Sequence, residues 1–130
     1  MILLDTHVVI WLAFQPGSIS RRAKAAIDNA RGGGEGLAIS DITLLEISAL
    51  VRKGRVHLDV SLQSFLQELE ARFIVLPITS RACALSLSLP AAFPKDPADR
   101  MIGATALAEG LPLVTADRDI ARSETLRTIW

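Results

Sequence analysis

An α/β fold, a three-layer α/β/α sandwich around a central parallel sheet, is predicted by three features of the sequence. Four short runs of consecutive apolar residues recur along the chain, longer segments of helical spacing lie between them, and acids and glycines punctuate their ends. The first run is Ile2-Leu3-Leu4. Its counterparts are Leu37-Ala38-Ile39, Phe73-Ile74-Val75-Leu76 and Leu113-Val114-Thr115. Each is too short for a helix and continuous instead of alternating, the pattern of strands buried on both faces.

The predicted helices are the stretch after Asp5, then Ser20 to Ala30, Ile42 to Lys53, Ser61 to Glu70, Thr79 to Leu89, and Pro97 to Glu109. Gly54, after Arg52-Lys53, and Gly110, followed by Pro112, supply the stop signals expected at helix ends. The glycine-rich stretch from Gly32 to Gly36 is a loop joining a helix to a strand. No repeat or internal boundary divides the chain, so residues 1–130 are expected to form a single domain.

Half of the residues are apolar and 22% are charged, which excludes general disorder. So high an apolar share in a small domain suggests a face left for self-association, and hence a homodimer. The formal net charge is zero, so no long-range field draws the molecule onto a polyanion; a nucleic acid would be gripped by local patches. Cys83, the one cysteine, is expected to be a buried, inert thiol in a reducing compartment. No run approaches the roughly eighteen apolar residues of a membrane span, and the N-terminus lacks a basic leader, so a cytoplasmic location is expected.

Candidate chemistry lies where strands end, because open parallel sheets bind ligands at their carboxyl edge. Asp5 directly follows the first run and Asp117 lies two residues past Thr115; either acid could instead simply cap the helix after it. Glu46 stands among apolar residues one turn into a helix, with no Lys or Arg within a turn to pair with it. A costly acid of that kind points to a metal partner. In Asp96-Pro97-Ala98-Asp99-Arg100, proline suits the first helical position, so Asp96 is read as the N-cap and Asp99 as the candidate ligand.

Four distant carboxylates without His or Cys beside them make an oxygen-only site, which suits Mg²⁺ or Mn²⁺ and not Zn²⁺. His7 is read as a satisfied polar group beside the core. Thr6 and Thr115 are candidates to orient the carboxylates, a backbone hydrogen bond being the alternative. The glycine loop follows a helix and lacks a Gly-Lys-Ser/Thr ending, so it is no phosphate-binding loop. An aspartyl-phosphate phosphatase would need a second Asp two residues after Asp5, where His7 stands, which makes that reading the weaker one.

Leu3-Leu4-Asp5-Thr6-His7, Ile39-Ser40 with Leu45-Glu46-Ile47, Asp96-Pro97-Ala98-Asp99-Arg100 and Leu113-Val114-Thr115-Ala116-Asp117 together resemble the PIN-domain ribonucleases, in particular the VapC toxins of toxin–antitoxin pairs. These pieces stand in the family's order and span nearly the whole chain. The resemblance implies a PIN-like sandwich, Mg²⁺-dependent cleavage of RNA and a VapB-type antitoxin. It also implies catalytic and metal-binding roles for Asp5, Glu46, Asp99 and Asp117, with Asp119 the alternative to Asp117. Arg100, Arg118 and the Arg21-Arg22-Lys24 cluster are candidate phosphate contacts, or merely solvated cations. The rival from another class is a PIN-like module that binds RNA or antitoxin with weak or no catalysis.

Overall fold

The computed structural model describes residues 1–130. Five parallel strands form one sheet: β1 (Ile2–Leu4), β2 (Leu37–Ser40), β3 (Ile74–Leu76), β4 (Leu113–Val114) and β5 (Thr128–Ile129), in the order β3-β2-β1-β4-β5. Seven α-helices surround it: α1 (Thr6–Phe14), α2 (Arg21–Gly32), α3 (Asp41–Arg52), α4 (Leu62–Arg72), α5 (Ser80–Leu87), α6 (Pro97–Glu109) and α7 (Arg118–Arg122).

Because successive strand residues point to opposite faces, each strand feeds two cores. Ile2 and Leu4 of β1, with Leu37 and Ile39 of β2, pack against Val8, Ile27, Ile47 and Phe65 from α1 to α4. Leu3, Ala38 and Leu113 face the other way, onto Phe93, Ile102 and Ala106, with Ile120 of α7. Three layers result, as the sequence predicts.

Helix ends follow local chemistry. Ser40 caps α3 through Ile42 N–H, Asp96 caps α6 through Ala98 N–H at 2.8 Å and Asp99 N–H at 3.2 Å, and Gly110 ends α6 with φ 64°. Gly103 lies inside α6, where a Cβ would come within 2.5 Å of the Phe93 ring. Glycine therefore serves close packing there.

Two expectations are corrected. The run at Phe73–Leu76 gives an edge strand, not one buried on both faces: β3 pairs only with β2, and Ile74 is exposed. Cys83 is exposed, because α5 turns the neighbouring Ala82 inward and so carries Cys83 outward. β5 and α7, two and five residues long, add elements that periodicity over such lengths does not reveal. No helix is long and apolar enough to cross a membrane.

Candidate metal centre

The strand order changes direction at β1, whose sequence neighbour β2 lies on one side while β4 lies on the other. A crevice outside the carboxyl ends of β1 and β4 is the favoured ligand position in such a sheet. The register fixes what stands there. Leu4 is paired with Val114, and Asp5 N–H donates to Val114 O at 3.0 Å, so Asp5 leaves β1 beside Thr115.

Asp5 is buried, at 3% exposure, and its two carboxylate oxygens are separately held. Thr6 N–H donates to Oδ1 at 2.9 Å, and Thr115 Oγ1 donates to Oδ2 at 2.8 Å. The first bond caps α1, so the capping role and a place at the crevice coexist in one side chain. The two Asp5 bonds also restrict the carboxylate's rotation, a form of preorganisation.

Glu46 projects from α3 toward the same edge and accepts a hydrogen bond from Thr6 Oγ1. Thr6 Oγ1 also lies 3.0 Å from Thr43 Oγ1. With its single proton directed to Glu46, the Thr6 hydroxyl accepts from Thr43. Burial raises the Glu46 pKa; the Thr6 bond opposes this, and the charges of Asp5 and Asp96 add to the rise. The absence of a local cation in the sequence thus has its structural counterpart.

Asp99, in the first turn of α6, carries the largest perturbation. Burial, followed by repulsion from Asp5, Asp96, Glu46 and Asp117, pushes its pKa from an ordinary 3.8 up to about 7. Asp117 contributes to this field while capping α7, its Oδ1 accepting from Asp119 N–H at 2.8 Å and Ile120 N–H at 3.2 Å. Asp119 is exposed and ion-paired with Arg122, and it is not among the acids acting on Asp99. Of the two acids that the sequence leaves open, Asp117 is the one whose charge acts on Asp99.

These acids repel one another without closing up: no three His, Cys, Asp or Glu side chains come together closely enough to enclose an ion on their own. Such an open arrangement still fits Mg²⁺, which keeps several waters and is held through one or two carboxylates plus substrate phosphates instead of a complete protein cage. The donors available are oxygens only, and Thr115 and Thr6 fix two of them.

His7 is satisfied, as expected, but in a way the sequence does not reveal. Ala116 N–H donates to its Nε2 at 2.9 Å, which assigns the ring proton to Nδ1, 3.6 Å from Asp5 Oδ2. His7 thereby ties the β4–α7 loop to Asp5. The Arg100 guanidinium points toward the carbonyls of Ser86 in α5 and of Leu89 and Phe93 in the loop before α6, at 3.4 to 3.5 Å. Arg118, Arg21 and Arg22 are exposed, and Lys24 pairs with Asp28 at 2.8 Å.

The family model described as PIN domain matches residues 2–125. Ribonuclease VapC22 of Mycobacterium tuberculosis is 37% identical over 131 aligned residues, which cover 99% of this chain and 98% of that protein. Among solved structures, DNA-bound VapBC from Salmonella typhimurium superposes with a TM-score of 0.72 at 23% identity, covering 98% of this chain and 97% of that one. A toxin-antitoxin complex from Klebsiella pneumoniae superposes with a TM-score of 0.60 at 25% identity, over 90% of this chain and 87% of that one. The Salmonella likeness speaks to the fold alone. On the family model and the end-to-end identity to VapC22, the chain belongs to the PIN-domain family, among its VapC-type members.

Proposed function

We propose that this protein is a Mg²⁺-dependent endoribonuclease, Mn²⁺ being a second suitable ion, and the toxin half of a pair completed by a VapB-type antitoxin. Asp5, Glu46, Asp99 and Asp117 form the metal-holding acidic pocket. The observation that carries the reading is the gathering of buried and half-buried acids at one sheet crevice, where Thr6 and Thr115 hold Asp5 and the same Thr6 holds Glu46, while burial and the charges of Asp5, Asp96, Glu46 and Asp117 raise the Asp99 pKa. A fold keeps so unfavourable a cluster when a cation compensates it.

A bound divalent ion supplies a Lewis acid for the phosphoryl oxygens and a lowered pKa for a coordinated water. The chain's residues do the rest by position. Asp5 presents a carboxylate already fixed by Thr115 and the Thr6 amide, so little ordering is required when the ion enters. A bound cation would offset the burial and the repulsion that raise the Asp99 pKa, so Asp99 would hold it as a carboxylate. Glu46 and Asp117 complete the negative field from α3 and from the β4–α7 loop. No side chain acts as a nucleophile, which agrees with His7, not a second Asp, standing two residues after Asp5.

The open spacing of the acids favours one competing reading, a module that binds RNA or antitoxin with little catalysis. A cleavage assay on single-stranded and structured RNA, titrated with Mg²⁺ and Mn²⁺ and repeated in EDTA, separates the two. Cleavage that appears with metal and vanishes in Asp99→Asn supports the enzyme. RNA bound but left intact at every metal concentration refutes it.

A further inference from the structure

We propose that the cavity beside the acidic pocket, on the α1 and α3 side, is a base-binding subsite for one nucleotide of single-stranded RNA next to the cut phosphate, a proposal that rests on the ribonuclease reading. This cavity of about 360 Å³ is lined in part by His7, Trp11, Phe14, Gln15, Arg55 and His57. Its size lies within the roughly 300 to 1,000 Å³ of small-molecule sites. It adjoins the acidic pocket at His7, which lines it and whose Nδ1 is 3.6 Å from Asp5 Oδ2.

The wall is aromatic and already ordered. Trp11 meets the His7 ring edge-on at 5.0 Å between centroids and lies 5.6 Å from Trp130, which in turn is 6.4 Å from His7. A ring held in this way stacks on a base without first giving up rotational freedom. Base stacking on aromatic side chains is the sequence-tolerant way to hold single-stranded nucleic acid.

Charge selects the occupant. None of the nine lining residues is acidic, while Arg55 and His57 stand exposed at the cavity, placed for a neighbouring phosphate. The other large apolar cleft, about 350 Å³ between α1 and α4, mixes Asp59 and Glu68 with Arg31 and Arg72 and so shows no preference for an anion. In a chain of zero net charge, a local cation beside a stacking surface is the grip a polyanion requires.

The test uses binding in EDTA, so that cleavage is not the readout. Trp11, one of the chain's two tryptophans, lines the cavity, and Trp130 packs against it, so intrinsic fluorescence reports on ligand bound at Trp11. A 2′-O-methyl trinucleotide should quench it, and an abasic trinucleotide of equal charge should bind about tenfold more weakly or worse. Repulsion from the acidic pocket is the same for both and cancels. By anisotropy of labelled oligonucleotides, Trp11→Leu should lose the preference for the base-bearing form. Arg55→Ala should keep that preference and lower the slope of log affinity against log salt by about one.

Equal affinity for the two oligonucleotides overturns the proposal, as does wild-type behaviour in both variants. Arg55 is exposed, so Arg55→Ala keeps the test open should Trp11→Leu fail to fold. Quenching by an apolar peptide and not by the oligonucleotide would assign the cavity to a protein partner and overturn the proposal too. A wild-type protein that cleaves RNA yet binds both oligonucleotides equally defeats the subsite alone; one that cleaves no RNA with any divalent metal defeats the ribonuclease reading.

Discussion

Replacing Asp99 by Asn should stabilise the metal-free protein at pH 8 while weakening its response to metal. In the folded state its pKa of about 7 stands above an ordinary value of 3.8. At about 1.4 kcal/mol per pH unit, that interval corresponds to about 4 kcal/mol for a fully buried group. Asp99 is only half-buried, and solvent screening reduces the figure to about 1 to 2 kcal/mol. The sign follows from proton counting. Between pH 4 and pH 7 the folded protein holds a proton that the unfolded chain has released, so stability falls as pH rises through that window. Glu46, raised in the same direction, adds to the fall.

Against this stands the favourable placement of a negative charge in the first turn of α6, worth about 0.3 to 1 kcal/mol. Repulsion is the larger effect. In EDTA at pH 8, Asp99→Asn should melt about 4 °C above wild type per kcal/mol of strain relieved, for a domain of this size. The gap should shrink toward pH 4. Excess Mg²⁺ should raise the wild-type melting temperature by an amount equivalent to about 1 to 3 kcal/mol at ten- to hundredfold excess over Kd, and raise the variant's much less. Calorimetry across pH checks each part. A variant that melts clearly lower than wild type at pH 8 in EDTA, with a gap that does not change with pH, would show that Asp99 serves chiefly to stabilise the helix terminus.

Asp96→Ala removes the α6 cap and should cost about 1 kcal/mol in urea unfolding while leaving measurable RNA cleavage; loss of activity equal to that of Asp99→Asn would show that Asp96 shares the metal site. Thr115→Val deletes the hydroxyl that holds Asp5 Oδ2 and should weaken Mg²⁺ binding by about 10- to 100-fold in calorimetric titration; unchanged affinity would mean that Asp5 needs no such support. Gly103→Ala drives a methyl into the Phe93 ring and should destabilise by about 1 to 3 kcal/mol, checked by thermal melting. Sedimentation at micromolar concentration should give a homodimer, since Leu45 on α3 and Leu87 on α5 are 66% and 89% exposed; a monomer throughout would refute self-association.

The sheet's middle and the helices around it are legible from local pattern, because Leu4, Ile39 and Val114 sit in continuous apolar runs and Ser40, Asp96 and Gly110 announce helix ends. What local pattern lacks is pairing across the chain. Thr115 meets Asp5 from 110 residues away, and Ala116 meets His7 from 109, both through the β1–β4 register. β5 consists of two residues whose strand character comes from hydrogen bonding to β4. Exposure of Cys83 depends on which side of α5 faces α6, and its immediate neighbours are apolar either way. The acids are visible as types and positions, whereas the pairing of Asp119 with Arg122, which sets it apart from Asp117, is not.

Thr6 holds two carboxylates at once, Asp5 through its amide and Glu46 through its hydroxyl. The gap between those acids is therefore set by the bond lengths and rotamer of one residue, and two oxygens of the pocket behave as a fixed jaw. Asp99 stands on a separate helix and makes no hydrogen bond to Thr6. If these acids hold a cation, substitutions along α6 would change the Asp99 side of the pocket while leaving the Asp5-Thr6 corner untouched.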